Sequence, residues 1–331
     1  MRIIRGLTHL ETFKNGCVLT IGNFDGLHLG HRAVIKKLAE RGKTLGLPVV
    51  VMIFEPQPLE YFLKDNEPPR LMRLREKVIE FNSLPIDDLL VVRFNRHFAN
   101  YEAEQFIDEI LIKKLNVKHL VIGDDFHFGK ARRGNFALLK AKGDAHGFQI
   151  EDTGSYQSAG LRVSSTLIRD ALGAGDLAQA GRLLGHGYSV CGRVAHGDKR
   201  GRTIGFPTAN IKMFRKNAPV NGVFAVTLTG IDNRELEGVA NVGTRPTVDG
   251  GSKVILEAHL FDFDKEIYGH YVEVHFKQKI RDELCFNSLD DLKAQIVLDV
   301  AEAKAIFAGR KNTLSEAELN YASEHYSTGS V

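Results

Sequence analysis

The stretch CVLTIGNFDGLHLGHRAVIKKL, residues 17–38, decides the fold of the first part of the chain. It begins with a short apolar run that is typical of a buried strand. It ends in a sequence whose apolar residues have helical spacing, which predicts a helix from about His31 to Leu45. Between the two lies GNFDGLHLGH (22–31), which contains histidines, an aspartate and glycines. The stretch therefore predicts a strand and a helix joined by a polar, glycine-rich loop.

The same alternation of strands and helices continues through the first half of the chain. Apolar runs recur at 49–54 (VVVMIF), 89–94 (LLVVRF) and 119–123 (HLVIG), and sequences with helical spacing separate them. Short continuous apolar strands between amphipathic helices predict a parallel sheet covered on both faces. The loops GNFDGLHLGH, FEPQP (54–58) and GDDFHFG (123–129) each follow a strand, so we expect them at the carboxyl edge, where such sheets bind ligands.

The pattern changes near residue 185. Strand-like runs then alternate with glycine, asparagine and aspartate, which predicts an antiparallel barrel or sandwich. Only SLDDLKAQIVLDVAEAKAIF (288–307) is clearly helical. A chain of 331 residues is too long for one ordinary core, so two domains are expected. We predict domains 1–185 and 186–331, with the boundary near LGHG (184–187).

Composition narrows the class of protein. Hydrophobic and charged contents of 43% and 26% are those of a soluble globular protein. No apolar run approaches the ~20 residues that cross a bilayer, and MRIIRGLTHLETF is neither a signal nor a transit peptide, so a cytoplasmic location is expected. Cys17, Cys191 and Cys285 lie far apart, which argues against a zinc site or a disulfide framework. The net charge of +3 argues against a nucleic-acid binder.

The first candidate site lies at a predicted helix start. His28 and His31 could share a helix face, but a zinc site needs a third protein ligand, and none has a recognisable spacing. A helix N-terminus presents free N–H groups and partial positive charge, which favours a phosphate, and Gly30 would let the backbone approach it. The alternative is a glycine-rich turn whose histidines are incidental.

A second helix start, SSTLIR (164–169), contains three hydroxyl residues with Arg169 one turn further on. Hydroxyl residues at such positions are usually N-caps, and that explanation stays open for this stretch alone. Taken together, two helix N-termini, two imidazoles and a guanidinium group favour a triphosphate that is cleaved between its α- and β-phosphates.

HxGH followed by SSTxIR resembles the motifs of the nucleotidyltransferase superfamily, whose fold is α/β and Rossmann-like. The longer stretches GNFDGLHLGH, FEPQP, GDDFHFGKAR and SSTLIR, in this order, resemble the FMN adenylyltransferase half of bacterial bifunctional FAD synthetases over most of residues 15–185. The resemblance implies that the FMN phosphate attacks the α-phosphorus of ATP, forming FAD and releasing pyrophosphate, with Mg²⁺ bridging phosphates. Because a phosphate monoester is already an anion, catalysis would rest on positioning and charge stabilisation.

This resemblance also implies roles for individual residues. The side chains that would hold the ATP phosphates are His28, His31, Ser165 and Arg169. The residues expected at the nucleotide are Gly22, Asn23, Phe24, Asp25, Gly30, Ser164, Ser165 and Thr166. The residues expected on the flavin side are Asp125, Phe126, Phe128 and Arg132. For the two phenylalanines, a place in the core is an equal alternative.

The segment GRVAHGDKRGRTIGFPTANI (192–211) is the candidate nucleotide loop of the second half. It does not contain GxxxxGK[ST], so it is not the phosphate loop of that class. Its glycines and basic residues nevertheless suit it to lie over phosphates. Pro207 would fix the backbone before Thr208 and Asn210, whose side-chain oxygens could both reach one Mg²⁺. A simple turn-forming pair is the alternative.

The run KVILEAHLFDF (253–263) places a carboxylate among apolar neighbours. On a strand, Leu256 and Ala258 would face the core, and Glu257 would share the opposite face with His259. A carboxylate that faces a nucleotide site could take a proton from a substrate hydroxyl. The alternative is an exposed glutamate on an edge strand.

The stretches GRTIGFPTAN, NVGTRPT and LEAHLFDF resemble the riboflavin kinase domain, a small antiparallel β-barrel, over about 188–308. The resemblance implies that Thr208 and Asn210 coordinate Mg²⁺ with ATP. Glu257 would be the general base on the riboflavin 5′-hydroxyl, which then attacks the γ-phosphorus. The residues implied at the nucleotide loop are Gly197, Lys199 and Gly205, and the residue implied near the flavin is Arg281. The chain departs from the family at Gly187, where a proline is usual, which concerns the domain junction.

Both resemblances together imply a bifunctional enzyme that phosphorylates riboflavin and then adenylylates FMN, with ATP and Mg²⁺ at both sites. Its expected partners are the small molecules riboflavin, FMN and ATP, without nucleic acid or membrane, and no feature indicates an oligomeric state. One alternative is a nucleotidyltransferase for pantetheine phosphate or nicotinamide mononucleotide with an unrelated barrel. Another is a flavin-storing or nucleic-acid-binding barrel, although aromatic and basic residues do not alternate regularly there.

Overall fold

The computed structural model describes residues 1–7, 13–123, 126–154, 156–158, 161–196, 205–231, 234–246 and 252–309. The strands are β1 (Arg2–Arg5), β2 (Cys17–Ile21), β3 (Val49–Glu55), β4 (Asp88–Arg93), β5 (Val117–Ile122), β6 (Gln149–Asp152), β7 (Gln157–Ser158), β8 (Leu161–Arg162), β9 (Ser189–Ala195), β10 (Ala209–Lys212), β11 (Gly222–Ile231), β12 (Arg234–Pro246), β13 (Ser252–Leu260) and β14 (Tyr271–Arg281). The helices are α1 (Leu29–Leu45), α2 (Pro58–Leu63), α3 (Leu74–Phe81), α4 (Arg96–Ala99), α5 (Ala103–Gln105), which continues as a π-helix over Phe106–Lys114, α6 (Phe136–His146), α7 (Ser165–Ala174), α8 (Leu177–Leu184) and α9 (Leu289–Phe307). None of the helices within these ranges is long and apolar enough to cross a membrane.

Strands β1 to β6 form a parallel sheet in the order β1-β4-β3-β2-β5-β6. Every residue of β2 is buried, as a central strand with helices on both faces requires. Adjacent residues of β2 belong to different apolar clusters: Val18 packs with Leu38 of α1 and Phe81 of α3, and Leu19 packs with Ile110 of the π-helix. The predicted parallel sheet is therefore confirmed. Because all six strands run in one direction, the loops after β2, β3 and β5 share the carboxyl edge.

Strands β9 to β14 close a barrel in the order β10-β13-β12-β11-β14-β9, with antiparallel pairing throughout. Alternate residues face its interior, as Leu256 and Ala258 do with exposures of 1% and 0%. Helix α9 covers the outside of the barrel, where Ala303 packs in a cluster with Val223 and Val239. The predicted barrel with a C-terminal helix is confirmed, and the sandwich alternative is wrong.

The chain divides into two compact units. The first contains Met1–Pro68 and Met72–Ser165, and the second contains Pro69–Leu71 and Thr166–Val331. The parallel sheet lies in the first unit, and α7 from Thr166 onwards, α8 and the barrel lie in the second. The domain boundary near residue 185 stays a prediction.

Two local differences from the sequence analysis have physical reasons. Helix α1 begins at Leu29, ahead of the predicted start near His31, because the side chain of His28 caps it. Residues Ala209–Lys212, which we expected in a loop, form β10, which pairs with β9 and β13. Such a short strand gives little sequence signal, since its neighbours in the barrel hold it in place.

A partly exposed ion cluster stabilises the edge of the sheet at β6. The Glu151 carboxylate accepts two hydrogen bonds from Arg41, at 2.8 and 3.0 Å. It also lies 2.9 Å from Lys37 Nζ and 3.1 Å from His119 Nε2. These donors, Arg41 first, lower the pKa of Glu151 from 4.5 to about 2.

We expect Glu151→Gln to lower the free energy of unfolding by about 1–2 kcal/mol at pH 7, a value discounted for the partial exposure of the carboxylate. A carboxyl group whose folded pKa is depressed stabilises the fold above its unfolded pKa. The contribution is lost as the pH falls from about 4.5 towards 2. Urea unfolding at pH 7 and pH 3 measures this, with the exposed Glu40→Gln as control. An equal difference between parent and variant at both pH values would contradict the linkage.

Candidate active sites

The loop after β2 lies at the point where the order of strands in the sheet reverses. The chain passes from β2 to β3 on one side, and β5 lies on the other side of β2. In open parallel sheets a crevice forms outside the strand ends at such a point, and ligands bind there. The GNFDGLHLGH loop and the start of α1 therefore occupy the expected position of a ligand site.

His28 and His31 form a stacked pair at the start of α1. His31 donates its backbone N–H to Nδ1 of His28 at 3.3 Å, so His28 is the N-cap. The two rings lie 3.6 Å apart with an angle of 16° between their planes. His28 is 6% exposed, so its ring is fixed by packing. The structure brings together the two histidines singled out in the sequence.

His31 is uncharged at neutral pH and has an unused polar atom. Its pKa lies well below the usual 6.5, first because the imidazole is buried and then because His28 and Lys77 are near. Its Nδ1 atom is buried and has no hydrogen-bond partner among the described residues. A buried polar atom without a partner is costly, which suits a position that a ligand completes.

A side chain at residue 30 would be tightly placed against His28. A Cβ atom there would lie 3.2 Å from Nδ1 of His28 and 3.5 Å from Cβ of Tyr156. The contact with Tyr156 is an ordinary one, but the His28 ring would have to shift by a few tenths of an ångström. Gly30 thus leaves space beside the histidine pair, and the close approach of a phosphate to its backbone stays a prediction.

Asp25 and Ser165 hold the loop in place. Oδ1 of Asp25 accepts the backbone N–H of Met72 at 3.0 Å, and the side chain is buried. The Ser165 hydroxyl donates to the Asp25 carbonyl at 2.9 Å. SSTLIR and GNFDGLHLGH, which are far apart in the sequence, therefore meet in the first unit through Ser165.

Arg169 lies on α7 in the second unit, one turn beyond Ser165. Its Nε atom donates to the carbonyl of Pro69 at 2.7 Å. Pro69 belongs to the same unit as Arg169. Ser164 precedes α7, and Thr166 lies exposed in its first turn. The phosphate contact assigned to Arg169 and the nucleotide contacts assigned to Ser164 and Thr166 stay predictions.

The expected flavin-side residues follow β5. Phe128 is 8% exposed and packs against Phe106 at 5.4 Å, so it belongs to the core. Phe126 is half-buried and stacks on Phe128 at 5.6 Å and 20°. Arg132 is exposed in a turn with φ of 59°, and Asp125 lies outside the described residues. The flavin roles of all four stay predictions.

The sequence analysis missed a chain of aromatic rings after β3 and β4. The ring centroids of Phe62 and Phe94 lie 5.7 Å apart, and those of Phe94 and Phe98 are also 5.7 Å apart. The rings of Phe54 and Tyr61 pack against Phe94. The chain begins at the surface, since Phe62 is 61% exposed. It continues through Phe106 to the core. The aromatic residues in FEPQPLEYF and RFNRHFANY were the available signal, but only the sheet brings the two segments together.

A cavity of about 150 Å³ opens on the barrel in the second unit. Its lining residues are Val194, Pro207, Thr208, Ala209, Asn210, Ala258, Leu260, Phe263, Asp264, Lys265, Glu266, Ile267 and Tyr268. Thr208 and Asn210 were both assigned to the nucleotide. His259 fixes the segment before them, because its Nδ1 donates to the Pro207 carbonyl at 2.9 Å and its ring meets Phe206.

Strand register aligns Asn210, Glu257 and Asn241 across three neighbouring strands. Asn210 on β10 and Asn241 on β12 are both Cα partners of Glu257 on β13. Register partners point to the same face of a sheet, so these polar side chains form one row on the outside of the barrel. Asn241 was not singled out in the sequence, because register is not visible there.

Glu257 is half-buried and has a cationic partner. Arg245 Nη2 lies 3.3 Å from Oε1 of Glu257, and the Glu257 side chain is 23% exposed. Glu257 lies beside the cavity rather than in its lining, between the lining residue Ala258 and the inward Leu256. It pairs on both sides within a closed barrel, so the edge-strand alternative is wrong.

The remaining residues of the second site are placed as follows. Arg281 donates to both oxygens of Asp299 at 2.7 Å, and its side chain is 18% exposed. Gly205 is exposed with φ of 89°. Gly197 and Lys199 lie outside the described residues. The nucleotide and flavin roles of all four stay predictions.

Two protein families match this chain, one in its first half and one in its second half. The family described as FAD synthetase matches residues 10–167, and the family described as riboflavin kinase matches 184–307. A bifunctional riboflavin kinase/FMN adenylyltransferase of Escherichia coli (strain K12) is 50% identical over 308 residues, which cover 93% of this chain and 98% of the relative. Its counterpart in Haemophilus influenzae is 50% identical over 307 residues, covering 93% and 99%.

A solved structure is also similar. A Streptococcus pneumoniae chain described as a macrolide-efflux protein superposes with a TM-score of 0.75 at 30% identity. The match covers 90% of this chain and 97% of that chain.

Proposed function

Because this chain belongs to the family of bifunctional riboflavin kinase/FMN adenylyltransferases, we propose that its two reactions run at the two sites described above. The chain makes FMN from riboflavin and FAD from FMN, and ATP is the co-substrate. We assign adenylyl transfer to the start of α1 and phosphorylation to the polar row of the barrel.

The stacked His28–His31 pair supports the assignment of the adenylyl transfer. A phosphate oxygen of FMN attacks the α-phosphorus of ATP, and the bond to the β-phosphate oxygen breaks, releasing pyrophosphate. Negative charge that develops on the transferring group would be stabilised by imidazole N–H groups and by the free amides of α1. Ser164, Ser165, Thr166 and Arg169 would complete the phosphate contacts. Asn23, Phe24 and Asp25 would shape the pocket.

The aromatic chain from Phe62 to Phe98 supports a flavin position beside this loop. An isoalloxazine ring is planar and largely apolar, and it gains from stacking on exposed aromatic rings. FEPQP and GDDFHFG follow strands of the same sheet, so both loops lie at its carboxyl edge. Phe126 would contact the flavin from the second loop, with Asp125 and Arg132, while Phe128 would support it from the core.

The register of Asn210 and Glu257 beside the cavity supports the assignment of the phosphorylation. Glu257 would accept the proton of the riboflavin 5′-hydroxyl as that oxygen attacks the γ-phosphorus of ATP, and ADP leaves. Arg245 would orient the carboxylate. Gly197, Lys199 and Gly205 would cover the nucleotide, and Arg281 would lie near the flavin.

The donors at this site fit a magnesium ion. Thr208 and Asn210 offer hydroxyl and amide oxygens, donor types that Mg²⁺ takes in proteins together with substrate phosphates. No group of three or more His, Cys, Asp or Glu within the described ranges could hold a metal by itself. When bound, Mg²⁺ would neutralise phosphate charge.

Chromatography of flavins after incubation of the pure protein with riboflavin, ATP and Mg²⁺ tests the function. We expect FMN to form first and FAD after it. FMN without FAD would contradict the assignment of the first site. Faster ATP consumption with nicotinamide mononucleotide than with FMN would favour the alternative nucleotidyltransferase.

A further inference from the structure

Lys77 is a charged side chain that neither proposed reaction uses, and it is buried. It lies on α3 in the first unit with an exposure of 1%. Burial of an ammonium group is costly unless hydrogen bonds or opposite charge compensate it, and for this reason lysines are almost never fully buried without partners. The burial of Lys77 therefore indicates that this position needs the hydrogen-bond donor that a lysine supplies.

The ammonium group of Lys77 is bonded to the loop of the first site. Nζ of Lys77 donates to the carbonyl of Asn23 at 2.7 Å. One helical turn later, Phe81 places its ring 5.8 Å from that of Phe24 in an edge contact. Residues four apart share one helix face, so α3 holds two successive residues of the loop from the same side.

The loop needs such anchors because its backbone is strained. Phe24 and Leu27 have φ of 48° and 40°, a left-handed conformation that side chains other than glycine rarely adopt. Strained conformations persist only where the surrounding structure fixes them. The strained segment ends at His28, whose ring caps α1 and stacks on His31. A change in the loop would therefore move both imidazoles.

Lys77 also affects the electrostatics of the pair. Its charge contributes to the lowered pKa of His31, after burial and His28. An uncharged imidazole retains one nitrogen without a proton and donates through the other. A positive charge on Lys77, directly behind the loop, would favour a bound polyphosphate.

We propose that Lys77 is a positioning residue of the adenylyl-transfer site: its buried ammonium group holds the Gly22–His28 loop by the Asn23 carbonyl, and so sets the place of His28 and His31 at the ATP phosphates. The inference rests on the function proposed for the first site. It predicts a change in the KM for ATP rather than in the KM for FMN, because the flavin-side residues belong to other loops.

The test is steady-state kinetics of Lys77→Met and Lys77→Arg in the full chain. For Lys77→Met we expect the KM for ATP in FMN-to-FAD conversion to rise about tenfold or more, with the KM for FMN unchanged. Lys77→Arg, which keeps a charged donor, should recover most of the loss. Riboflavin phosphorylation should not change. Lys142→Met, a lysine paired with Asp108 in the same unit, is the matched control and should behave as the parent.

Adenylyl transfer by Lys77→Met within twofold of the parent would overturn the inference. So would an equal rise in both KM values with no recovery in Lys77→Arg, because a purely structural residue behaves in that way. If Lys77→Met does not fold, Lys77→Gln, which keeps an amide donor, is measured against the same criteria. A failure of the proposed function itself is distinguishable, because the parent chain would then form no FAD.

Discussion

Replacing Glu257 by glutamine is expected to lower riboflavin phosphorylation by about 10²- to 10⁴-fold and to leave FMN-to-FAD conversion unchanged. The amide has the shape of the carboxylate but cannot accept the proton of the riboflavin 5′-hydroxyl. The loss should appear in kcat rather than in the KM for riboflavin, because proton transfer matters in the transition state. Initial rates of FMN formation, followed by flavin chromatography, measure it.

The control for this variant is Glu235→Gln. Glu235 is an outward carboxylate of the same barrel, bonded to Thr227 and Lys277. Its replacement should leave both reactions at the rate of the parent. An active Glu257→Gln kinase would remove the general-base role. Loss of both reactions in Glu257→Gln would show that the two sites are not separate.

Replacing His28 by alanine is expected to lower FAD formation from FMN by about 10²- to 10³-fold while FMN formation persists. The imidazole would stabilise charge on the transferring phosphates, and its ring also supports that of His31 through stacking. Arg169→Ala is expected to have the same selectivity. Separate assays with riboflavin and with FMN as the starting flavin measure the two reactions.

The capping role of His28 must be separated from its role in catalysis. His28→Ala removes the N-cap of α1 and should cost about 1 kcal/mol of stability. His28→Asn restores a capping acceptor without an imidazole, so stability should recover and FAD formation should not. His146→Ala, an exposed histidine at the end of α6, is the control for histidine removal. Full FAD formation in His28→Asn would mean that the histidine only caps the helix.

Local sequence patterns predicted most of the architecture. The continuous apolar run of β2 required burial on both faces, and the helical spacing after it required a covering helix. These constraints predicted a parallel sheet with its loops at one edge. Alternation in KVILEAHLFDF separated Leu256 and Ala258 from Glu257, and the barrel interior confirms that division. Such patterns act over a few residues and can therefore be seen in the sequence.

The sequence by itself determined the fold class, the family resemblance and the chemical types of residue at each site. Only the tertiary structure decided that Lys77 would lie under the Asn23 carbonyl, that Asn241 would share a row with Glu257, and that β10 would exist at all. These three features depend on contacts between segments far apart in the chain. Register and burial of that kind follow from how whole elements pack, and no local pattern of residues encodes them.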